Sequence, residues 1–83
     1  MINLKEARKK ARDWLINSPL TPFEAVIKEA KITPEQEQYI RLRFVEGKSI
    51  VMIGIMLNIS PDAVKLEIGK AYDNINKVIE ELP

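Results

Sequence analysis

The side chains in this sequence best suited to chemistry are cations, and they gather near one end. Lys5, Arg8, Lys9, Lys10 and Arg12 follow one another closely, and residues 1–31 hold seven Lys/Arg against four Asp/Glu. Such a run serves phosphate oxygens when a helix presents it to a polyanion, or it simply forms a solvated helix face. The net charge of only +1 gives no general push toward nucleic acid, and the solvated face is the favoured reading. Residues 32–60 balance three against three, and residues 61–83 hold three Lys/Arg against five Asp/Glu.

Other chemistry lacks its parts. The chain has no cysteine and no histidine, which removes disulfides, thiolate nucleophiles and the common zinc ligands. No glycine-rich phosphate loop is present, and Ser18, Ser49 and Ser60 all have capping or turn uses. Trp14 and Tyr72 could stack on bases, but each sits at core spacing. The expectation is a protein that is not an enzyme and needs no metal or cofactor.

Helices must position whatever these residues do. Thr21-Pro22-Phe23-Glu24 and Thr33-Pro34-Glu35-Gln36 share one design: a Thr hydroxyl to cap free N–H groups, Pro at the first helical position, and Glu24 or Gln36 to close a capping box. Ser60-Pro61-Asp62 is a third start, and Ser49 a weaker fourth, because Met52 stands where a box wants Glu. The patterning predicts five helices and an all-α fold. The first runs from about Asn3 to Ile16, with Leu4, Ala7, Ala11, Trp14 and Leu15 on one stripe and Asn17-Ser18-Pro19 as its end. The second, about Pro22 to Ala30, buries Phe23, Val26, Ile27 and Ala30. The third, about Pro34 to Glu46, carries Tyr39, Ile40, Leu42, Phe44 and Val45 and stops at Gly47, a left-handed C-cap. A fourth spans about Ile50 to Leu57. The fifth, about Pro61 to Glu81, buries Val64, Ile68, Ala71, Tyr72, Ile75, Val78 and Ile79.

The last two form a short helix, a tight turn and a longer helix. Ile50, Ile53 and Leu57 point inward from the first, and Gly54 sits where the two approach closely. Asn58 suits the left-handed conformation of a three-residue corner, Ile59 plugs the angle, and Ser60 caps the next helix. This is the pattern of a helix-turn-helix, whose second helix can lie in a major groove.

The run from Ile32 through Thr33-Pro34-Glu35-Gln36 and Arg41-Leu42-Arg43-Phe44-Val45-Glu46-Gly47 to Ser49 resembles the opening of region 4 of bacterial sigma factors. Ile53-Gly54, Leu57-Asn58-Ile59-Ser60 and Ala63-Val64-Lys65 keep that frame without a gap. The resemblance covers residues 32–79, a little over half the chain; residues 1–31 form an N-terminal helical extension that matches no such pattern. It implies that the long helix reads promoter DNA while its neighbours contact phosphates. By position, the surface would comprise Lys48, Ser49, Ser60, Asp62, Ala63, Lys65, Leu66, Glu67 and Lys70. Arg41 and Arg43 would supply phosphate contacts, or else pair with Glu37 or Glu46.

Two departures qualify that expectation. Leu66 and Glu67 stand where sigma-like helices present Arg and small polar groups, and Asp62 and Glu67 repel phosphate, so few counterions would be released. Glu67 could still accept from cytosine N4. The short helix, moreover, is apolar all round. Val51, Met52, Ile55 and Met56 replace the charged residues usual there, and such a surface is either covered or an interface. Trp14, Phe23 or Ile27 could cover it; otherwise it would serve self-association or a protein partner.

At 83 residues the chain suits one domain, and no segment has the apolar length of a membrane span or signal peptide, so the cytoplasm is the expected compartment. The leading expectation is a sigma-region-4-like transcription regulator from a phage or mobile element, binding double-stranded DNA as a homodimer or with RNA polymerase. The alternative is a protein-interaction module, an adaptor or inhibitor, using the short-helix surface. The DNA-binding domain of a packaging or replication protein is a third use of the same fold.

Overall fold

A computed structural model describes residues 4–82, and of Leu4 only the backbone. Among these residues lie five α-helices and no strand: α1 (Leu4–Asn17), α2 (Leu20–Ala30), α3 (Pro34–Phe44), α4 (Ile50–Leu57) and α5 (Pro61–Glu80). The expected start at Asn3 and the core position of Leu4 fall outside what is described. No described helix is long and apolar enough to cross a membrane.

Local chemistry sets most boundaries. At α3, the Thr33 hydroxyl accepts from Gln36 N–H at 3.1 Å, and Gln36 Oε1 accepts from Thr33 N–H at 3.2 Å, a complete capping box. Ser49 caps Met52 N–H and Ser60 caps Ala63 N–H, each at 3.1 Å. At the end of α1 the side chains of Asn17 and Ser18 donate to the carbonyls of Asp13 and Trp14 in the last turn. After α3 the chain turns through Gly47 at φ 70°, and Lys48 N–H closes on the Leu42 carbonyl at 2.9 Å.

The second Thr-Pro pair behaves differently. Helix α2 starts two residues early, at Leu20, with Pro19 in the flanking extended position and no side-chain cap. Pro22 fits because the first-turn N–H groups have no intrahelical partner for a proline to remove. Thr21 is therefore helical rather than a cap, and Glu24 closes no box. Helix α3 ends at Phe44 rather than Glu46, which leaves Val45 outside the core and 53% exposed.

Helix α5 is the hub, against which each of the other four packs. Its buried face (Val64, Ile68, Ala71, Ile75) meets Ala11 and Leu15 of α1, Phe23, Val26, Ile27 and Ala30 of α2, Tyr39, Ile40 and Leu42 of α3, and Ile53 of α4 in one cluster. Ile40, Ile53, Val64 and Ile75 are fully buried. Trp14, Phe44, Ile50, Leu57, Ile59, Tyr72, Val78 and Ile79 pack around it half-buried, so both aromatics that could have stacked on bases serve the core margin. Phe44 and Tyr72 meet ring to ring at 6.2 Å and 58°, a tilted arrangement suited to their quadrupoles.

Of the two alternatives for α4, covered or exposed, its outer face is exposed. Phe23 and Ile27 lie in the core and Trp14 packs at its edge, while Val51, Met52, Ile55 and Met56 stay 58%, 44%, 70% and 48% exposed. The N-terminal helices cannot cover α4 because they are already spent on α5. Helix α4 contacts α5 and α3 through Ile53, Gly54, Ile50 and Leu57 and turns the rest of its two turns to solvent.

Candidate nucleic-acid interface

The corner between α4 and α5 orients the exposed end of α5. Asn58 adopts φ 59° and ψ 46°, the left-handed conformation an asparagine tolerates, and Ile59 N–H donates to the Gly54 carbonyl at 2.9 Å. A Cβ at Gly54 would lie 2.7 Å from the Ile59 carbonyl oxygen, so only glycine permits this close return of the chain. Beyond the corner Ser60, Pro61, Asp62, Lys65, Leu66 and Lys70 are exposed, Leu66 at 57%. Ala63 is half-buried, as is Lys48 before α4, where Ser49 is exposed.

Not every residue of the expected surface is free to meet a ligand. Arg41 donates to both oxygens of Glu24 on α2, at 2.7 and 2.8 Å, and to Glu37 one turn earlier at 2.9 Å. These carboxylates hold its guanidinium even more firmly protonated than usual, and Arg41 in turn keeps Glu24 below the ordinary carboxylate range. The pairing with Glu37 is one of the alternatives the sequence offered for Arg41; the one with Glu24 ties α3 to α2. Glu67 Oε2 accepts from Gln36 Nε2 at 3.1 Å, and Oε1 lies 3.4 Å from Lys70 Nζ. Gln36 is buried, and its amide oxygen already closes the capping box, so both ends of this side chain are engaged. The donation from Gln36, with Lys70 adding to it, keeps Glu67 ionised to lower pH than a free glutamate. Ser49 and Ser60 are likewise committed to their caps.

Six cations converge on a groove, two of them already paired: Arg8 with Asp73 and Arg12 with Asp13, the latter at 3.6 Å. Helix α1 lies along α5, and the two, with Arg43 and the start of α4, enclose about 730 Å³ open to solvent. Lys5, Arg8, Lys9, Arg12, Arg43 and Lys65 line it, against the single carboxylate of Glu6; Ile50, Ile68, Gly69 and Tyr72 contribute its apolar surface. Among the described residues no carboxylate pairs with Lys5, Lys9, Arg43 or Lys65. Arg43 Nη1 donates to the Lys48 carbonyl at 3.2 Å, which steadies it at the groove's edge.

Arg8 joins α1 to α5. Its Nε and Nη2 grip the two oxygens of Asp73 at 2.9 and 3.0 Å, a bidentate pair that raises its already high pKa. The guanidinium lies across Gly69, where a Cβ would come within 2.9 Å of Nη1. Gly69, which stands on the expected reading helix, is thus a seat for Arg8. The basic run of α1 and the face of α5 are each visible in the sequence, but separately. Their convergence comes from long-range packing of Ala11 and Leu15 against α5 together with the Arg8–Asp73 pair, 65 residues apart, and no local pattern announces it.

Comparison with known families, curated proteins and solved structures returns no match for this chain, so the chemistry of the groove rests on its own residues.

Proposed function

We propose that this protein is a duplex-DNA-binding helix-turn-helix domain of the sigma-region-4-like type, acting in transcription, as a homodimer or with RNA polymerase. The single observation that carries the DNA reading is the groove beside α5, lined by six cationic side chains of which Lys5, Lys9, Arg43 and Lys65 have no carboxylate partner among the described residues. A phosphate backbone is the ligand for which such a surface gains most, because each phosphate neutralised releases condensed counterions. The exposed start of α5 supports the same reading, since a helix must stand clear of its own domain to enter a major groove. Binding of a labelled duplex, followed by fluorescence anisotropy across a salt series, tests it. Affinity should fall steeply between about 50 and 200 mM salt. No binding to any duplex at low salt removes the reading.

A second reading is favoured by a different observation. The uncovered α4 face, Val51, Met52, Ile55 and Met56, is contiguous along a helix and apolar, the composition of a contact with another protein. On this reading the domain is an adaptor or inhibitor. It predicts association in light scattering that Met52→Glu with Ile55→Lys abolishes, and a monomer that captures no polymerase subunit counts against it.

A further inference from the structure

We infer that α1, rather than the helix expected to read bases, is the main DNA-gripping element, and that it holds one strand's phosphates with little regard to sequence. This inference rests on the DNA reading above and sharpens it. Lys5, Lys9 and Arg12 recur at intervals of four and three residues, which places them along one side of α1 facing the groove. Seven residues of helix rise about 10 Å. That is more than the reach of one phosphate group, and the long Lys and Arg side chains extend it further. The stripe therefore suits an extended polyanion with more than one phosphate rather than a single small anion.

On the other side of the groove the chemistry of base reading is thin. Over its first ten residues α5 carries Lys65 and Lys70 against Asp62 and Glu67, so it attracts no net phosphate charge. Glu67 is held by Gln36 and Lys70, Asp62 is an acid in the first turn, where an anion could otherwise dock, and Leu66 offers only an apolar contact. Phosphate contacts fix position without carrying sequence information. Arg8 is a positioning residue. Its pair with Asp73 adds to the buried contacts of Ala11 and Leu15 in holding the phosphate stripe beside α5.

The test uses the full chain and two triple variants with equal charge change. Lys5→Ala with Lys9→Ala and Arg12→Ala removes the stripe. Lys10→Ala with Lys28→Ala and Lys77→Ala removes three exposed lysines that do not line the groove. All six residues are exposed, and circular dichroism checks that both proteins stay folded. The stripe variant should bind on the order of tenfold or more weakly at low salt. Its slope of log K against log salt should flatten by about 0.9 for each phosphate it no longer neutralises, roughly two to three in all. The control triple should keep most of the wild-type slope. Two unrelated duplexes should bind within about threefold of one another, far from the 10³-fold or more typical of specific recognition. If duplexes bind but the stripe variant keeps the wild-type slope, the inference is overturned and the DNA reading survives. Discrimination above about a hundredfold between duplexes overturns the sequence tolerance. Tighter binding to duplex RNA than to duplex DNA overturns the choice of ligand. Failure of the wild type to bind any duplex defeats the DNA reading itself.

Discussion

Replacing Gly54 by alanine should destabilise the fold, although the same change in most helices would stabilise it. Two effects of opposite sign compete. In a helix interior alanine is favoured over glycine by about 1 kcal/mol. Against this, the new Cβ would stand 2.7 Å from the Ile59 carbonyl oxygen, 3.5 Å from the Pro61 nitrogen and 3.6 Å from the Ser60 carbonyl carbon. All three are backbone atoms of the corner, so relief requires moving the chain rather than turning a side chain. Overpacking of this kind costs about 1–3 kcal/mol, and a backbone obstacle places it in the upper part of that range. The shift also strains the 2.9 Å hydrogen bond from Ile59 N–H to the Gly54 carbonyl. The net expectation is a destabilisation of about 1–2 kcal/mol, combining those two ranges. Gly69→Ala is the internal control. There the obstacle is the end of the flexible Arg8 side chain, which can swing aside, so the helix preference should win or break even. Urea denaturation followed by circular dichroism at matched slopes reads both. A Gly54→Ala protein as stable as wild type would refute the close-approach argument. A destabilisation by Gly69→Ala as large as that by Gly54→Ala would refute the distinction between backbone and side-chain obstacles.

Three further outcomes follow from particular contacts. Lys31, the C-cap of α2, holds φ 52° with an L side chain, so Lys31→Gly should gain about 1 kcal/mol in the same denaturation assay. Arg41 holds the Glu24 carboxyl below its usual range, so the folded state binds that proton less readily than the unfolded chain. The contribution is therefore complete above the ordinary carboxylate range and is lost as pH falls through the lowered folded value. Thermal melts of wild type and Glu24→Gln should differ at neutral pH and converge in strong acid, with the difference shrinking in salt because the pair is exposed. Met52→Glu with Ile55→Lys should leave monomer stability within about 0.5 kcal/mol, since both side chains face solvent; a collapse of the fold would mean that this face is covered after all.

The parts of the fold legible in the sequence are those set by neighbours along the chain. The capping box at Thr33 and Gln36, the caps at Ser49 and Ser60, the left-handed Gly47 and Asn58, and the bounds of α4 all follow from side chains within a few residues of the backbone groups they satisfy. The same dipeptide misleads at Thr21-Pro22, because proline is tolerated throughout a first turn and so does not fix which residue precedes the helix. Covering of α4 was not legible. An all-apolar helix in a larger protein is buried on every side, but here the helices that could have reached it are spent on α5. For the candidate interface, the exposed residues of early α5 were readable by position, whereas the engagement of Arg41 with Glu24 and of Glu67 with Gln36 was not, since both join different helices. The groove itself is a product of how α1 docks on α5, through buried Ala11 and Leu15 and the Arg8–Asp73 pair, contacts far apart in sequence.

The central claim, that α1 and the start of α5 together form a DNA-binding face, is tested most directly by titrating an isotope-labelled chain with a short duplex and following backbone amide resonances. The account predicts that the largest shifts fall on the α1 stripe around Lys5, Lys9 and Arg12 and on the exposed turns from Ser60 to Lys70, fading as salt is added. Shifts confined to α4 around Met52 and Ile55, or no shifts at low salt, would contradict it.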